Sequence, residues 1–248
     1  MAFRVGCAQV WGGIEDTEQD IETRAVKASI YSRSADGGKG GDIYYFSVCC
    51  RDMMTRIAVA DVMGHGKAVS QVSGWVYEEL KTYINNPAGH EIIGHLNNAV
   101  EKRGFEAMTT VALASLVVKD ETLMFTYAGH PPILVRRHRE GVWTPARLDD
   151  DDNGCNLPLG VMPYACFDQG RLDLEPGDKL FIYTDGLLEA PSPDGEQFGL
   201  NRLLDVLQQS GSDSPSQLKN NVLEQLTRHT AGHTGHDDLT MMAVQAFN

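Results

Sequence analysis

The sequence predicts an α+β fold in which two mainly antiparallel sheets pack face to face under helices on both sides, a four-layer α-β-β-α sandwich. Two observations lead there. Short runs rich in β-branched and aromatic residues recur between polar or glycine-rich stretches, in hairpin-like succession. Helical spacing of apolar residues is confined to two pairs of segments, one in the first half of the chain and one near its end. With 248 residues, 42% of them hydrophobic, the chain has the apolar mass for a substantial core. No Pro/Ser-rich linker interrupts the elements, so residues 1–248 are read as one domain.

The first strand-like runs are FRVGCAQVW (3–11), VKASIYSRS (26–34), DIYYFSVCC (42–50) and TRIAVA (55–60). After Gly66 the period changes: Ala68, Val69, Val72, Trp75, Val76, Leu80, Tyr83 and Ile84 predict an amphipathic helix over 67–86, ending before Pro87. Ile92, Ile93, Leu96, Ala99 and Val100 mark a second helix, with Gly104 as its stop. Strands return at TTVALASLVV (109–118), then, after a turn at Lys119-Asp120, at LMFTYAGH (123–130), ILVRR (133–137), CFDQGRLDL (166–174) and KLFIYT (179–184). Late helices fall at about 199–210 and 214–230, the second opened by Ser214 as cap and Pro215 at the first helical position. LTMMAVQA (239–246) is a final strand.

Subtracting 34 acids from 21 bases gives a net charge of −13, which argues against nucleic acid as a partner, because phosphate-backbone binders cluster Lys and Arg. Cys7, Cys49, Cys50, Cys155 and Cys166 include no C-x-x-C pair, so they are read as small core residues of a protein in a reducing cytoplasm, without disulfides or zinc. The N-terminal apolar run is too short for a signal peptide, and no later run reaches bilayer length, so no membrane association is expected. Asp149-Asp150-Asp151-Asp152 reads as a solvated loop, since EF-hand ligand spacing is absent.

Four stretches place carboxylates at strand ends. Asp61 and Asp185 follow apolar strands, whereas Asp42 and the Asp237-Asp238 pair precede them. In an antiparallel sheet the end of one strand lies beside the start of its neighbour, so the four can converge on one edge. Carboxylates gathered there repel one another and call for cations. Oxygen ligands without His or Cys select Mg²⁺ or Mn²⁺, and two such ions sharing an aspartate can deprotonate a water and clamp a phosphoryl group. Gly64 and Gly66 would let the backbone approach the ions and turn into the helix. Taken singly, each Asp is more often turn chemistry, Asp185-Gly186 above all; the convergence carries the reading. His65 and His130 are read as structural, and the Met53-Met54 and Met241-Met242 pairs as core or near-core filling. Gly37-Gly38-Lys39-Gly40-Gly41 resembles a phosphate cradle but lacks P-loop spacing.

The blocks GGDIYYF, ADVMGHG, MTTVALASLVV, AGHPPILV, LPLGV, LEPGDKLFIYTDGLLEA, GEQFG and HDDLT occur in the order seen in the SpoIIE-type (RsbU-like) serine/threonine phosphatases, a bacterial branch of the protein phosphatase 2C superfamily. The resemblance spans roughly residues 26–245. It implies an α-β-β-α sandwich that holds two Mn²⁺ or Mg²⁺ ions and hydrolyses phosphoserine or phosphothreonine on a partner protein by a metal-activated water. Such partners are often anti-anti-sigma (STAS) regulators. By position, Asp42 resembles the first ligand, Asp61 the bridging aspartate, Val62 a backbone-carbonyl ligand and Asp185 the TDG ligand. Asp237 matches the last ligand better than its neighbour Asp238, and both stand among the metal-ligand candidates.

The chain departs from the family at three points. Met63 stands where the wider superfamily has the His of D-G-H-G, so leaving-group protonation falls to water. Tyr45 replaces an Asp of many members. The superfamily's phosphate-holding arginine has no evident counterpart; Arg33, Arg51 and Lys67 are candidates by position alone. Many members carry an N-terminal sensor domain, and about 25 residues precede the first family-like strand here, so the chain is either a stand-alone phosphatase or a piece of something longer. A partner acting through the helix at 67–86 is a route to activation. Two rival readings remain: an adaptor module of the same fold with little catalysis, and a two-metal enzyme acting on phosphodiesters or nucleotides.

Overall fold

The computed structural model describes residues 2–49, 51–64, 67–84, 86, 88–148, 155–211, 213–233 and 235–247, with backbone alone at 67 and 68. His65, Gly66, Pro87 and the Asp149–Asp152 run therefore lie outside the described residues. In chain order the elements are β1 (Phe3–Arg4), β2 (Val10–Glu15), β3 (Thr17–Glu22), β4 (Val26–Arg33), β5 (Lys39–Cys49), β6 (Met54–Val62), α1 (Lys67–Tyr83) and α2 (Gly89–Arg103). A 3₁₀ turn at Phe105–Ala107 leads to β7 (Thr109–Val117), β8 (Thr122–Ala128), β9 (Leu134–Arg136), β10 (Trp143–Pro145), β11 (Gly170–Asp173) and β12 (Lys179–Tyr183). Then come α3 (Asp185–Glu189), α4 (Gly199–Gln209), α5 (Pro215–His229) and β13 (Leu239–Ala246).

The strands form a seven-stranded sheet in the order β1-β3-β4-β13-β12-β9-β10 and a six-stranded sheet in the order β11-β8-β7-β6-β5-β2. Every pairing is antiparallel except β1 with β3. Side-chain alternation builds three apolar layers. Tyr44 and Phe46 of β5 pack between the sheets with Ile182 and Met242, while Ile43 and Tyr45 face α1 and α2. On the other sheet Met241 and Phe181 face α4 and α5 through Leu203, Leu207, Leu218 and Val222. The expected four layers, helix, sheet, sheet, helix, are the observed ones. Both faces of the central strands are covered, so their sequences read as almost unbroken apolar runs.

Local signals set the helix ends as expected. Ser214 Oγ accepts from Gln217 N at 3.3 Å while Gln217 Oε1 accepts from Ser214 N at 3.0 Å, a reciprocal cap with Pro215 following. Gly104, at φ 108°, ends α2 and donates to Val100 O at 3.1 Å. Among the described residues no helix is long and apolar enough to cross a membrane.

Several expectations are corrected. The run at 3–11 breaks into two strands around Ala8, whose φ is 62°. β3 was not foreseen, because TEQDIE is polar and buries only Ile21; β10 is three residues long and α3 five. α1 ends at Tyr83, where buried Arg56 reaches across from β6 to the carbonyls of Ile84 and Asn86 and to Ser115 Oγ at 2.9 Å. CFDQGRLDL is a strand only over Gly170–Asp173, because Cys155 and Cys166 are joined by a disulfide across the neck of a loop. Asn156 N donates to Cys166 O at 2.9 Å, and this doubling-back brings the two Cα atoms to 4.9 Å. Cys7 is exposed and Cys49 half-buried, so neither is a core residue. Met241 and Met242 are fully buried and Met53 and Met54 half-buried, in keeping with core and near-core filling.

Candidate metal centre

Strand register brings the first two carboxylates together: Asp42 of β5 lies directly opposite Asp61 of β6. Because Ile43 and Ala60 face the helices, period-two alternation turns both aspartates toward the space between the sheets, at its open end. The facing sheet supplies the others. The β12–β13 ladder ends at Tyr183 opposite Met241 and is continued by Thr184 N donating to Thr240 O at 3.0 Å. Asp185 therefore leaves β12 beside the segment where Asp237 and Asp238 enter β13.

Asp42 is 3% exposed. Its Oδ2 accepts from Thr184 Oγ1 at 2.9 Å, and its Oδ1 is buried with no hydrogen-bond partner. Burial, and then the charge of Asp61, pushes its carboxyl well above the ordinary range. Burial also raises Asp61, to about 7, reinforced by Asp185, Asp237, Asp238 and Glu189. Asp185 is raised by burial and by Asp237, partly offset by backbone amides at 185 and 186. Among the described residues no Lys or Arg forms an ion pair with Asp42, Asp61, Asp185 or Asp237. An acidic cluster of half-buried Asp61, Asp185 and Asp237 around buried Asp42, whose Oδ1 has no partner, is suited to a hard divalent ion. As placed, however, no three His, Cys, Asp or Glu side chains among the described residues stand in metal-holding geometry.

Asp238 differs from its neighbours. It is 4% exposed, and its two oxygens accept from the backbone amides of Ala35, at 2.7 Å, and Gly41. The glycine-rich turn serves this approach: a Cβ on Gly40 would lie 2.7 Å from Asp238 Oδ2, and one on Gly41 2.9 Å from Val62 O. Gly64, at φ 97°, turns the chain after β6 as expected.

The remaining candidates separate by position. Arg33 pairs in register with Leu239, at the carboxylate end, and its exposed guanidinium lies 3.8 Å from Asp16. Arg51 sits in the β5–β6 turn at the far end of the sheet, beyond about 24 Å of strand from Asp42. His130 is buried, Nδ1 2.9 Å from Pro131 O, and burial lowers it to about 4, in keeping with a structural role. Sequence reasoning missed Thr184, Glu189 and His236; their only signal is that each adjoins a candidate aspartate or stands on the short helix that begins with one.

The family model for Stage II sporulation protein E (SpoIIE) matches residues 51–247, most of the chain. The chain belongs to the SpoIIE family. The match begins after Asp42, so the SpoIIE-family assignment rests on β6 onward. Protein IcfG of Synechocystis sp. is 30% identical over 146 residues, 59% of this chain and 22% of that protein. This SpoIIE-family chain spans between 22% and 31% of the length of the curated relatives it matches. Among solved structures, the RsbU and RsbW domains of a Mycobacterium tuberculosis protein share the fold at TM-score 0.76 and 24% identity, over 91% of this chain and 61% of that one. The catalytic domain of the serine/threonine phosphatase PstP, in complex with two manganese ions, aligns at TM-score 0.59 and 17% identity, over 90% of this chain and 99% of that one. The SpoIIE-family fold is thus that of the protein phosphatase 2C-like domains.

Proposed function

We propose that the chain is a metal-dependent phosphoprotein phosphatase of one domain, acting on phosphoserine or phosphothreonine of a STAS-type partner. The observation that carries this reading is the in-register opposition of Asp42 and Asp61, with Asp185 and Asp237 beside them on the facing sheet. Asp42, Asp61, Asp185, Asp237 and the Val62 carbonyl would hold two Mn²⁺ or Mg²⁺ ions, as two manganese ions are held in PstP. Bound there, the ions supply charge that offsets carboxylate repulsion and polarise a water for attack on phosphorus. Asp238, expected among the ligands, is assigned instead to the β4–β5 turn, because both its oxygens accept backbone amides.

The chain's own groups do the orienting. Thr184 fixes one oxygen of Asp42 and leaves the other unpartnered. Asp61, the candidate to be shared between the two sites, is raised first by burial and then by the charges of Asp185, Asp237, Asp238 and Glu189, a repulsion that bound cations would relieve. Arg33, at this end of the fold, is the candidate for meeting substrate phosphate, and leaving-group protonation falls to water. The partner-switching setting draws on the RsbU and RsbW domains among the structural relatives.

One observation favours the adaptor reading: no three carboxylates among the described residues stand in metal-holding geometry. Hydrolysis of an aryl phosphate by the purified chain, with and without Mn²⁺ and beside Asp61→Ala, separates the two. Mn²⁺-dependent turnover that falls at least a hundredfold in Asp61→Ala is expected of the phosphatase. Equal turnover by the two proteins sinks the proposed site, Mn²⁺ binding without turnover points to an activating partner acting through α1, and neither Mn²⁺ binding nor turnover gives the lead to the adaptor.

A further inference from the structure

His236 and Asp238 flank Asp237, and each reaches the backbone beside a different candidate ligand. His236 Nε2 lies 2.9 Å from Gly186 O, the residue after Asp185. Asp238 Oδ2 accepts from Gly41 N, the residue before Asp42. Both contacts lie beyond the regular ladders, where strand pairing no longer fixes the segments: β12–β13 pairing ends at Tyr183, and β13 pairs with β4, not with β5.

The local packing is built around these contacts. A Cβ on Gly186 would fall 2.0 Å from Asp238 O and 3.6 Å from Asp237 Cβ, so only glycine lets α3 sit this close to the 236–238 segment. Asp238 Oδ1 adds a second tie, to Ala35 N at 2.7 Å, on the other side of the β4–β5 turn. Asp237 itself folds back, its Oδ1 accepting from Asp238 N at 2.8 Å. His236 is half-buried and donates through Nε2, because Gly186 O can only accept; its Nδ1 is buried and without a partner.

We infer that His236 and Asp238 are a pair of positioning residues that clamp Asp185 and Asp42 against Asp237, and that neither is a metal ligand. The inference rests on the metal reading above. The sequence His-Asp-Asp then divides its labour: the middle residue is offered to the ions, and the outer two hold the backbone on either side of it. Removing the His236 ring frees Gly186 and Asp185 to drift from Asp237 while every ligand oxygen remains. The loss therefore appears as weaker binding at unchanged stoichiometry, whereas loss of a ligand removes a site.

The test is Mn²⁺ titration of the full chain by calorimetry, with no turnover measured. Wild type is compared with His236→Ala, His236→Gln, Asp238→Asn and Asp237→Ala, and near-ultraviolet circular dichroism verifies each fold. His236→Ala is expected to bind at least tenfold more weakly with the same number of ions. His236→Gln should recover most of the affinity, because its amide still donates to Gly186 O. Asp238→Asn should keep the stoichiometry, whereas Asp237→Ala loses an ion. Affinity in His236→Ala equal to wild type overturns the clamp and leaves the metal reading standing. Loss of an ion in Asp238→Asn makes Asp238 a ligand and overturns that half. Absence of Mn²⁺ binding by wild type overturns the metal reading, and the clamp with it.

Discussion

Thr184 Oγ1 donates to Asp42 Oδ2 at 2.9 Å and accepts from Thr240 N at 3.0 Å, so one hydroxyl joins the two sheets at the end where the carboxylates gather. Thr184→Val keeps the shape and removes both bonds, leaving a buried amide and a buried carboxyl oxygen unsatisfied. The expected loss is about 1–3 kcal/mol of unfolding free energy by urea titration, with Thr184→Ser recovering most of it. Equal stability of wild type and Thr184→Val would show that the sheets are held at this end by other contacts.

The carboxylates also set a pH dependence of the metal-free protein. Asp61 is raised to about 7, and Asp42 and Asp185 are raised too, whereas carboxyls of an unfolded chain titrate near 4. Between about pH 4 and pH 7 the folded state therefore holds protons that the unfolded state has released, and stability falls as pH rises through that window. The melting temperature without metal is expected to be lower at pH 8 than at pH 5, and saturating Mn²⁺ should restore it most at pH 8, where metal and proton no longer compete. Asp61→Asn should flatten the profile. A flat profile in wild type would mean that Asp61 titrates as an ordinary exposed carboxyl.

The Cys155–Cys166 bridge closes a loop with a sequence separation of 11 residues. Its neck is already hydrogen-bonded, with Asp168 N donating to Asn156 Oδ1 at 2.8 Å, so reduction removes a restraint on the unfolded chain more than a contact of the folded one. Cys155→Ser with Cys166→Ser is expected to lose about 3 kcal/mol by urea titration, while the native circular dichroism persists. If dithiothreitol leaves the wild-type urea midpoint unchanged, the bridge adds no stability.

Elements with strong local chemistry were legible in the sequence. Ser214-Pro215 announced α5 because cap and first-turn preferences act within four residues, and the apolar run DIYYFSVCC announced a strand, which the fold buries on both faces. β3 was not legible, because it lies beside the two-residue β1 at the margin of its sheet and needs little apolar surface. The disulfide was missed because a separation of 11 residues matches no recognised cysteine motif, and only the folded loop brings the two together. At the candidate site, the convergence of Asp42, Asp61, Asp185 and Asp237 followed from strand polarity alone. What separates Asp237 from Asp238 is which one meets backbone amides of another segment, and no pattern within the sequence carries that.

The place of β13 between β4 and β12 has a kinetic consequence. Ser32 Oγ meets Thr240 Oγ1 at 2.8 Å across a separation of 208 residues, so the seven-stranded sheet closes only by pairing distant parts of the chain, a slow kind of step. Until it closes, β4 and β12 present open edges, and Asp237 has no fixed place beside Asp185. The acidic cluster is thus assembled by the same event that seals the sheet, and its repulsion opposes that closure. On the proposed metal reading, a divalent cation present while the chain folds would speed the closing step as well as hold its product.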